Sequence, residues 1–109
     1  MRTIIQRVSH AKVEVEGKVI GQIEAGLLIL LGITHDDTDQ DIDWLVKKIP
    51  NLRIFNDSED KMNLSVTDIG GEMLVISQFT LYADAKKGNR PSYIRSAPPD
   101  FSVPMYEKF

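Results

Sequence analysis

Leu27-Leu28-Ile29-Leu30-Leu31-Gly32-Ile33 is the stretch whose reading decides the fold. It holds no charged or hydrogen-bonding side chain, so both faces of any strand it forms must be covered by other parts of the protein. It is much shorter than the ~18–20 apolar residues that cross a bilayer, and it reads as one buried strand entered through the break at Ala25-Gly26. Upstream, Thr3 to Val8 is rich in β-branched residues and predicts a first strand. Ala11-Lys12-Val13-Glu14-Val15-Glu16 alternates strictly, as a half-exposed strand does. Gly17-Lys18 then predicts a turn, and Val19 to Ile23 the return strand of a hairpin. The opening of the chain reads as a β-meander.

Downstream the period changes. Thr38 and Asp41 have the spacing of a capping box, with Asp in place of Glu. Ile42, Leu45, Val46 and Ile49 follow at helical spacing, with Asp39, Asp41 and Asp43 near the positive end and Lys47 and Lys48 near the negative end. One long helix over about 38–49 is predicted, stopped by Pro50. Leu52 to Phe55 reads as a short strand, Asn56 to Lys61 as a polar turn, Gly70-Gly71 as a break, and 72–81 as a strand whose Met73-Leu74-Val75-Ile76 is buried. Residues 83–99, rich in Lys, Arg, Pro and Ser, form a long loop, of the kind usually functional or disordered. A partial C-terminal helix, capped by Asp100 or Ser102, would place Met105, Tyr106 and Phe109 on one face, with Pro104 acceptable only in its first turn. The expectation is a single mixed α/β domain over 1–109, a meander or barrel-like mixed sheet with one long and one partial helix.

Composition narrows the function classes. The net charge of −3 argues against broad, sequence-blind nucleic-acid binding. With no cysteine there is no disulfide framework, thiolate metal site or cysteine nucleophile, which suits the cytoplasm. The N-terminal residues are too polar for a signal peptide, and no membrane association is expected. His10 and His35 lack second ligands at zinc spacing, and Asp57-Ser58-Glu59-Asp60 lacks the spacing and glycine of a calcium loop, so neither a metal nor another cofactor is expected. There is no Gly-x-Ser-x-Gly around Ser77 and no phosphate-binding glycine loop.

Ser77-Gln78-Phe79-Thr80-Leu81 is the chemical candidate. Polar groups at the end of an apolar strand cost roughly 1–3 kcal/mol each if buried unpaired. One solution is that the strand runs out into a cleft where they meet a ligand. The second candidate is the basic loop. Lys86, Lys87, Arg90 and Arg95, interleaved with Tyr82 and Tyr93, supply cations for phosphates and rings for stacking, as single-stranded RNA ends require. A solvated loop would have the same composition.

These segments together resemble the D-aminoacyl-tRNA deacylase family, in which Ser77-Gln78-Phe79-Thr80-Leu81 matches the first signature motif and Gly88-Asn89-Arg90-Pro91-Ser92-Tyr93 a Gly-x-Arg-Pro-Ser-aromatic stretch. Ile5-Gln6-Arg7-Val8, Gly26-Leu27-Leu28 and Lys61-Met62-Asn63-Leu64-Ser65 also match, so the likeness runs through nearly the whole chain. It implies that family's fold and an ester hydrolase that releases D-amino acids, and misattached glycine, from tRNA as a proofreading step. Family members run several tens of residues longer. The absent part would carry a Gly-Pro segment that screens chirality from the partner subunit, and this sequence contains no Gly-Pro dipeptide.

The resemblance implies that the partner is the 3′-terminal adenosine of aminoacyl-tRNA, and that the protein acts as a homodimer. Backbone N–H groups of Phe79 and Thr80 would hold the developing oxyanion, with Gln78 and Ser77 holding adenosine or bracing the strand; Thr80 as nucleophile is the rival. Lys86, Lys87, Arg90 and Tyr93 would bind tRNA. The alternative is an inactive truncated remnant or a non-catalytic tRNA 3′-end binding module.

Overall fold

The computed structural model describes all of residues 1–109. The apolar run becomes β4 (Gly26–Gly32), which lies between β1 (Arg2–Val8) and β7 (Glu72–Ser77) in a three-stranded sheet. Leu27, Ile29 and Leu31 alternate onto one face and are at most 1 % exposed, while Leu28 and Leu30 on the other face are half-buried. The fold is mixed α/β as expected. Pairing of consecutive strands is confined to two small sheets, β2 (Ala11–Val15) with β3 (Lys18–Ile23) and β5 (Phe55–Asn56) with β6 (Met62–Leu64). The meander does not extend to β1, because the strand with apolar residues on both faces takes the central place.

Backbone contacts gather into two compact units. The first comprises Ile5–Ile29 and Lys47–Val75. In its β2–β3 hairpin Val15 pairs with Lys18, so the loop is Glu16-Gly17, one residue earlier than the expected Gly17-Lys18. Both loop residues have positive φ, 51° and 79°, as the tightest hairpin turns require. A bulge between Val13 and Glu14 interrupts the ladder. Ile23, Leu27, Ile29, Ile49 and Val66 are this unit's buried apolar residues.

Leu52 to Phe55 does not form the predicted strand. Ile49–Asn51 is a 3₁₀ turn closed by the Leu52 N–H on the Ile49 carbonyl (3.3 Å), and the Arg7 guanidinium takes the Ile54 carbonyl (3.0 Å). The hairpin starts only at Phe55, around a turn in which the Asp57 carboxylate accepts the N–H groups of Glu59 (2.9 Å) and Lys61 (3.1 Å). These bonds, that from Lys61 foremost, hold the Asp57 carboxyl below its ordinary range.

The second unit comprises Met1–Ile4, Leu30–Val46 and Ile76–Phe109. Its α1 (Asp39–Lys48, whose last two residues fall in the first unit) begins as the capping pattern predicts. The Asp41 carboxylate accepts the Thr38 N–H at 2.8 Å, half of a capping box. Ile42 is buried and Leu45 half-buried, but Val46 is 42 % exposed and leaves the predicted apolar face. Ahead of the helix, Asp37 is buried, paired with the Met1 ammonium group and the Thr34 N–H. Leu31, Ile33, Tyr82, Ala97 and Met105 complete this unit's buried residues.

Strand 72–81 is shorter and more exposed than predicted. β7 lies at the edge of its sheet, Met73 is 44 % exposed, and Leu74 to Ile76 are only half-buried. It ends at Ser77, and Phe79–Tyr82 is a 3₁₀ turn. The last helix, α2 (Pro99–Lys108), starts before the expected caps, with Pro98 at its N-cap and no side-chain cap. Asp100 lies in its first turn, Pro104 lies in its interior, and the Pro104 ring leaves the Asp100 carbonyl without its helical donor.

At Gly26 two strands approach closely. A Cβ there would sit 1.8 Å from the Glu72 carbonyl oxygen and 2.7 Å from the Glu72 nitrogen, both backbone atoms. Gly17, at φ +79°, has open space around it. Gly17→Ala is expected to cost about 1 kcal/mol of backbone strain, and Gly26→Ala more than about 3 kcal/mol from the clash. Urea unfolding of the two variants checks this; equal midpoints would refute the close approach.

Candidate functional site

β4 ends in a glycine for a steric reason. A Cβ on Gly32 would meet the Leu81 Cβ at 3.0 Å and the Gln78 carbonyl oxygen at 3.2 Å. With only hydrogen there, the chain leaving β7 packs against the end of β4, and the Gln78 N–H bonds the Leu31 carbonyl at 2.7 Å. Past that bond the backbone turns. The first bond of the 3₁₀ turn joins the Leu81 N–H to the Gln78 carbonyl (3.3 Å), and the last joins the Ala83 N–H to the Thr80 carbonyl (3.0 Å). The amides of Phe79 and Thr80 precede the first bonded turn, so the turn itself gives them no acceptor.

The segment is not sealed in the interior. Ser77 is exposed, Phe79 is 56 % exposed, and Gln78, Thr80 and Leu81 are half-buried. The Gln78 carboxamide nitrogen donates to the Thr80 hydroxyl, so two of the predicted polar side chains serve each other. The Phe79 ring meets the Tyr93 ring edge to face at 5.1 Å between centroids.

The 83–99 loop is pinned more than its composition suggests. Asp84 and Ser92 exchange backbone bonds at 2.8 and 2.7 Å, closing the basic tip. Beyond it, Thr34 Oγ1 donates to the Arg95 carbonyl, His35 Nε2 meets the Ile94 carbonyl at 2.9 Å, and the Ala97 N–H bonds the Ile33 carbonyl at 2.9 Å. The Ser96 hydroxyl donates to the Phe79 carbonyl at 2.8 Å. The end of β4 therefore anchors both the 77–82 turn and the 93–97 segment.

The basic residues divide. Lys86, Lys87 and Arg90 line one concavity of about 280 Å³ with Asp84 and Ser92, and the Asp84 carboxylate accepts the Lys86 N–H at 3.0 Å. Tyr93 joins Phe79 instead. Arg95 leaves the patch and lies 5.8 Å from the Tyr82 ring centre, with Arg2 at 4.5 Å from the same ring. Burial is the main cause that raises the Tyr82 hydroxyl above its ordinary range, seconded by Asp37 and opposed by Arg2 and Arg95.

The chain matches the family model described as D-Tyr-tRNA(Tyr) deacylase over residues 4–109. It belongs to that family. A curated D-aminoacyl-tRNA deacylase from Thermosipho africanus is 62 % identical over 109 residues, covering 100 % of this chain and 73 % of that protein. Another from Fusobacterium nucleatum is 59 % identical over the same length, covering 72 % of that protein. Among solved structures, a c-Myc DNA unwinding element binding protein is 38 % identical, with a TM-score of 0.92 over 99 % of this chain and 72 % of that one. A probable eukaryotic D-amino acid tRNA deacylase shares the fold at a TM-score of 0.80 and 17 % identity. In this member of the deacylase family residues 77–81 begin at the last residue of β7 and pass into the 3₁₀ turn over Phe79–Tyr82, and do not continue the strand.

The sequence pointed to residues 77–80 and the basic loop and raised His35 only as a metal ligand; it gave no sign of Ser96 or Thr34. Ser96 carried no local signal. Its hydroxyl becomes informative only once the chain folds back onto Phe79.

Proposed function

We propose that this protein hydrolyses the ester linking a D-aminoacyl group, or misattached glycine, to the 3′-terminal ribose of tRNA. Water adds to the acyl carbon, the bond to the ribose oxygen breaks, and a free amino acid and tRNA with a restored hydroxyl leave. The observation that carries the reading is the unbroken likeness to deacylases over residues 4–109. The openness of the signature segment supports it.

The tetrahedral intermediate needs donors aimed at its oxyanion. The backbone N–H groups of Phe79 and Thr80 are our candidates, since both precede the bonded turn. Gln78 braces Thr80 through its carboxamide, and Ser77 stays free to meet the adenosine. The bond from Gln78 also bears on the rival role for Thr80. A hydroxyl becomes a nucleophile beside a base that takes its proton, and a carboxamide is not a base. Positioning is the role this geometry favours. Phe79 and Tyr93 offer ring faces for the terminal base, and Lys86, Lys87 and Arg90 gather positive charge for the phosphates.

We propose further that two copies pair. Ile4, Val15, Val19, Ile20 and Met73 are between 44 and 67 % exposed, and the two-stranded β2–β3 hairpin has free edges. No helix is long and apolar enough to cross a membrane, and we place the activity in the cytoplasm.

Incubation with D-Tyr-tRNA and L-Tyr-tRNA is expected to release tyrosine from the D form alone. Release from neither, with RNA retained, would make the chain a 3′-end binding module. Thr80→Ala is expected to lower turnover only about five- to tenfold, the worth of one hydrogen bond; total loss with binding intact would make Thr80 the nucleophile. Binding of tRNA should weaken with salt. Lys86→Ala, Lys87→Ala and Arg90→Ala are each expected to flatten the log–log slope by about 0.7, and an unchanged slope would remove that residue from the interface. Light scattering should give twice the chain mass, and a stable monomer would contradict pairing.

A further inference from the structure

Ser96 lies far in sequence from the signature segment, yet its hydroxyl donates to the Phe79 carbonyl at 2.8 Å. That carbonyl and the Thr80 N–H are two ends of one peptide group. The group is planar, and the chain has no cis bonds, so the two ends point in opposite directions. The 3₁₀ turn over Phe79–Tyr82 sets the general course of this peptide group, and the Ser96 hydroxyl, as a further donor on the Phe79 oxygen, secures the Thr80 N–H pointing away from Ser96. A hydrogen bond accepted at the oxygen also polarises the group and strengthens its N–H as a donor. The neighbouring peptide group, with the Gln78 oxygen and the Phe79 N–H, is held at its oxygen by the Leu81 N–H, at a longer 3.3 Å.

Ser96 is itself held in place. Its N–H bonds the Tyr93 carbonyl at 2.9 Å, and it forms an isolated bridge with Thr34 at the end of β4. On either side of it, the Arg95 carbonyl accepts the Thr34 hydroxyl and the Ala97 N–H bonds the Ile33 carbonyl at 2.9 Å. The hydroxyl is thus presented from a backbone tied to the central strand.

We propose that Ser96 is a positioning residue for the reaction: its hydroxyl aims and polarises the Phe79–Thr80 peptide group so that the Thr80 N–H can hold the oxyanion. This rests on the deacylase reading above. The role belongs to the transition state, so it acts on kcat and leaves KM alone.

The test compares the full chain with Ser96→Ala, which removes the donor, and Ser96→Thr, which keeps a hydroxyl. With D-Tyr-tRNA, Ser96→Ala is expected to lose about tenfold in kcat, less than deleting an oxyanion donor outright, with KM unchanged; Ser96→Thr should recover most of it. In both variants the melting temperature should stay near that of the parent. The amide ¹⁵N resonance of Thr80 should move upfield in Ser96→Ala and return in Ser96→Thr, whatever the activity. Parental kcat in Ser96→Ala, a rise in KM alone, or equal losses in both variants would overturn the proposal. So would an unmoved Thr80 resonance. If Ser96→Ala fails to fold, Ser96→Cys, of similar shape but a weaker donor, replaces it: lowered kcat supports the role and parental kcat overturns it. A parent chain inert toward D-Tyr-tRNA defeats the deacylase reading, and this proposal with it; an active parent beside an unaffected Ser96→Ala defeats this proposal alone.

Discussion

The burial of β4 is the constraint on which the rest depends. Leu27, Ile29 and Leu31 are withdrawn from water on one face, at roughly 1.5–3 kcal/mol for each fully buried side chain, and Leu28 and Leu30 on the other are half-covered. A strand held that firmly has rigid carbonyls at its exit. The Leu31 oxygen receives the Gln78 N–H, the Ile33 oxygen receives the Ala97 N–H, and Gly32 between them lacks the side chain that would keep the 77–82 turn away. The candidate site is a consequence of what can dock on the end of this strand.

That dependence explains the form of the signature segment. A continuous strand through 81 would have pointed the Phe79 and Thr80 amides to opposite edges, one committed to the ladder, and could not have offered both to one substrate. Turning into 3₁₀ geometry after Gln78 leaves those amides ahead of the bonded turn, and the Ser96 hydroxyl and the Leu81 N–H hold the carbonyls behind them. Site geometry is thereby supported by backbone, which a change of neighbouring side chains disturbs little.

Much of this was legible in the sequence because the signals were local. Alternation in 11–16 and helical spacing after Thr38 produced β2 and α1 nearly as read, since each element's own period decides which residues can face a core. Leu52 to Phe55 failed as a strand for a nonlocal reason: the Arg7 side chain, distant in sequence, took the Ile54 carbonyl. The basic loop divided for a similar reason. Tyr93 found the Phe79 ring and Arg95 lay near the Tyr82 ring, so proximity in sequence did not become proximity in the site.

By itself the sequence determined β2, β4, the capped α1, a tight hairpin within one residue of Gly17 and the polar motif at the end of β7, because these depend on periodicity, φ preference and hydrogen-bonding capacity within a few residues. Its likeness to deacylases determined the chemistry to look for. Only the tertiary structure decided where β7 stops, which cations share a concavity, and that Ser96 meets the Phe79 carbonyl. The Gln78 and Ser96 contacts join segments apart in sequence, and their partners exist only after β4 is buried and both segments have closed on its end.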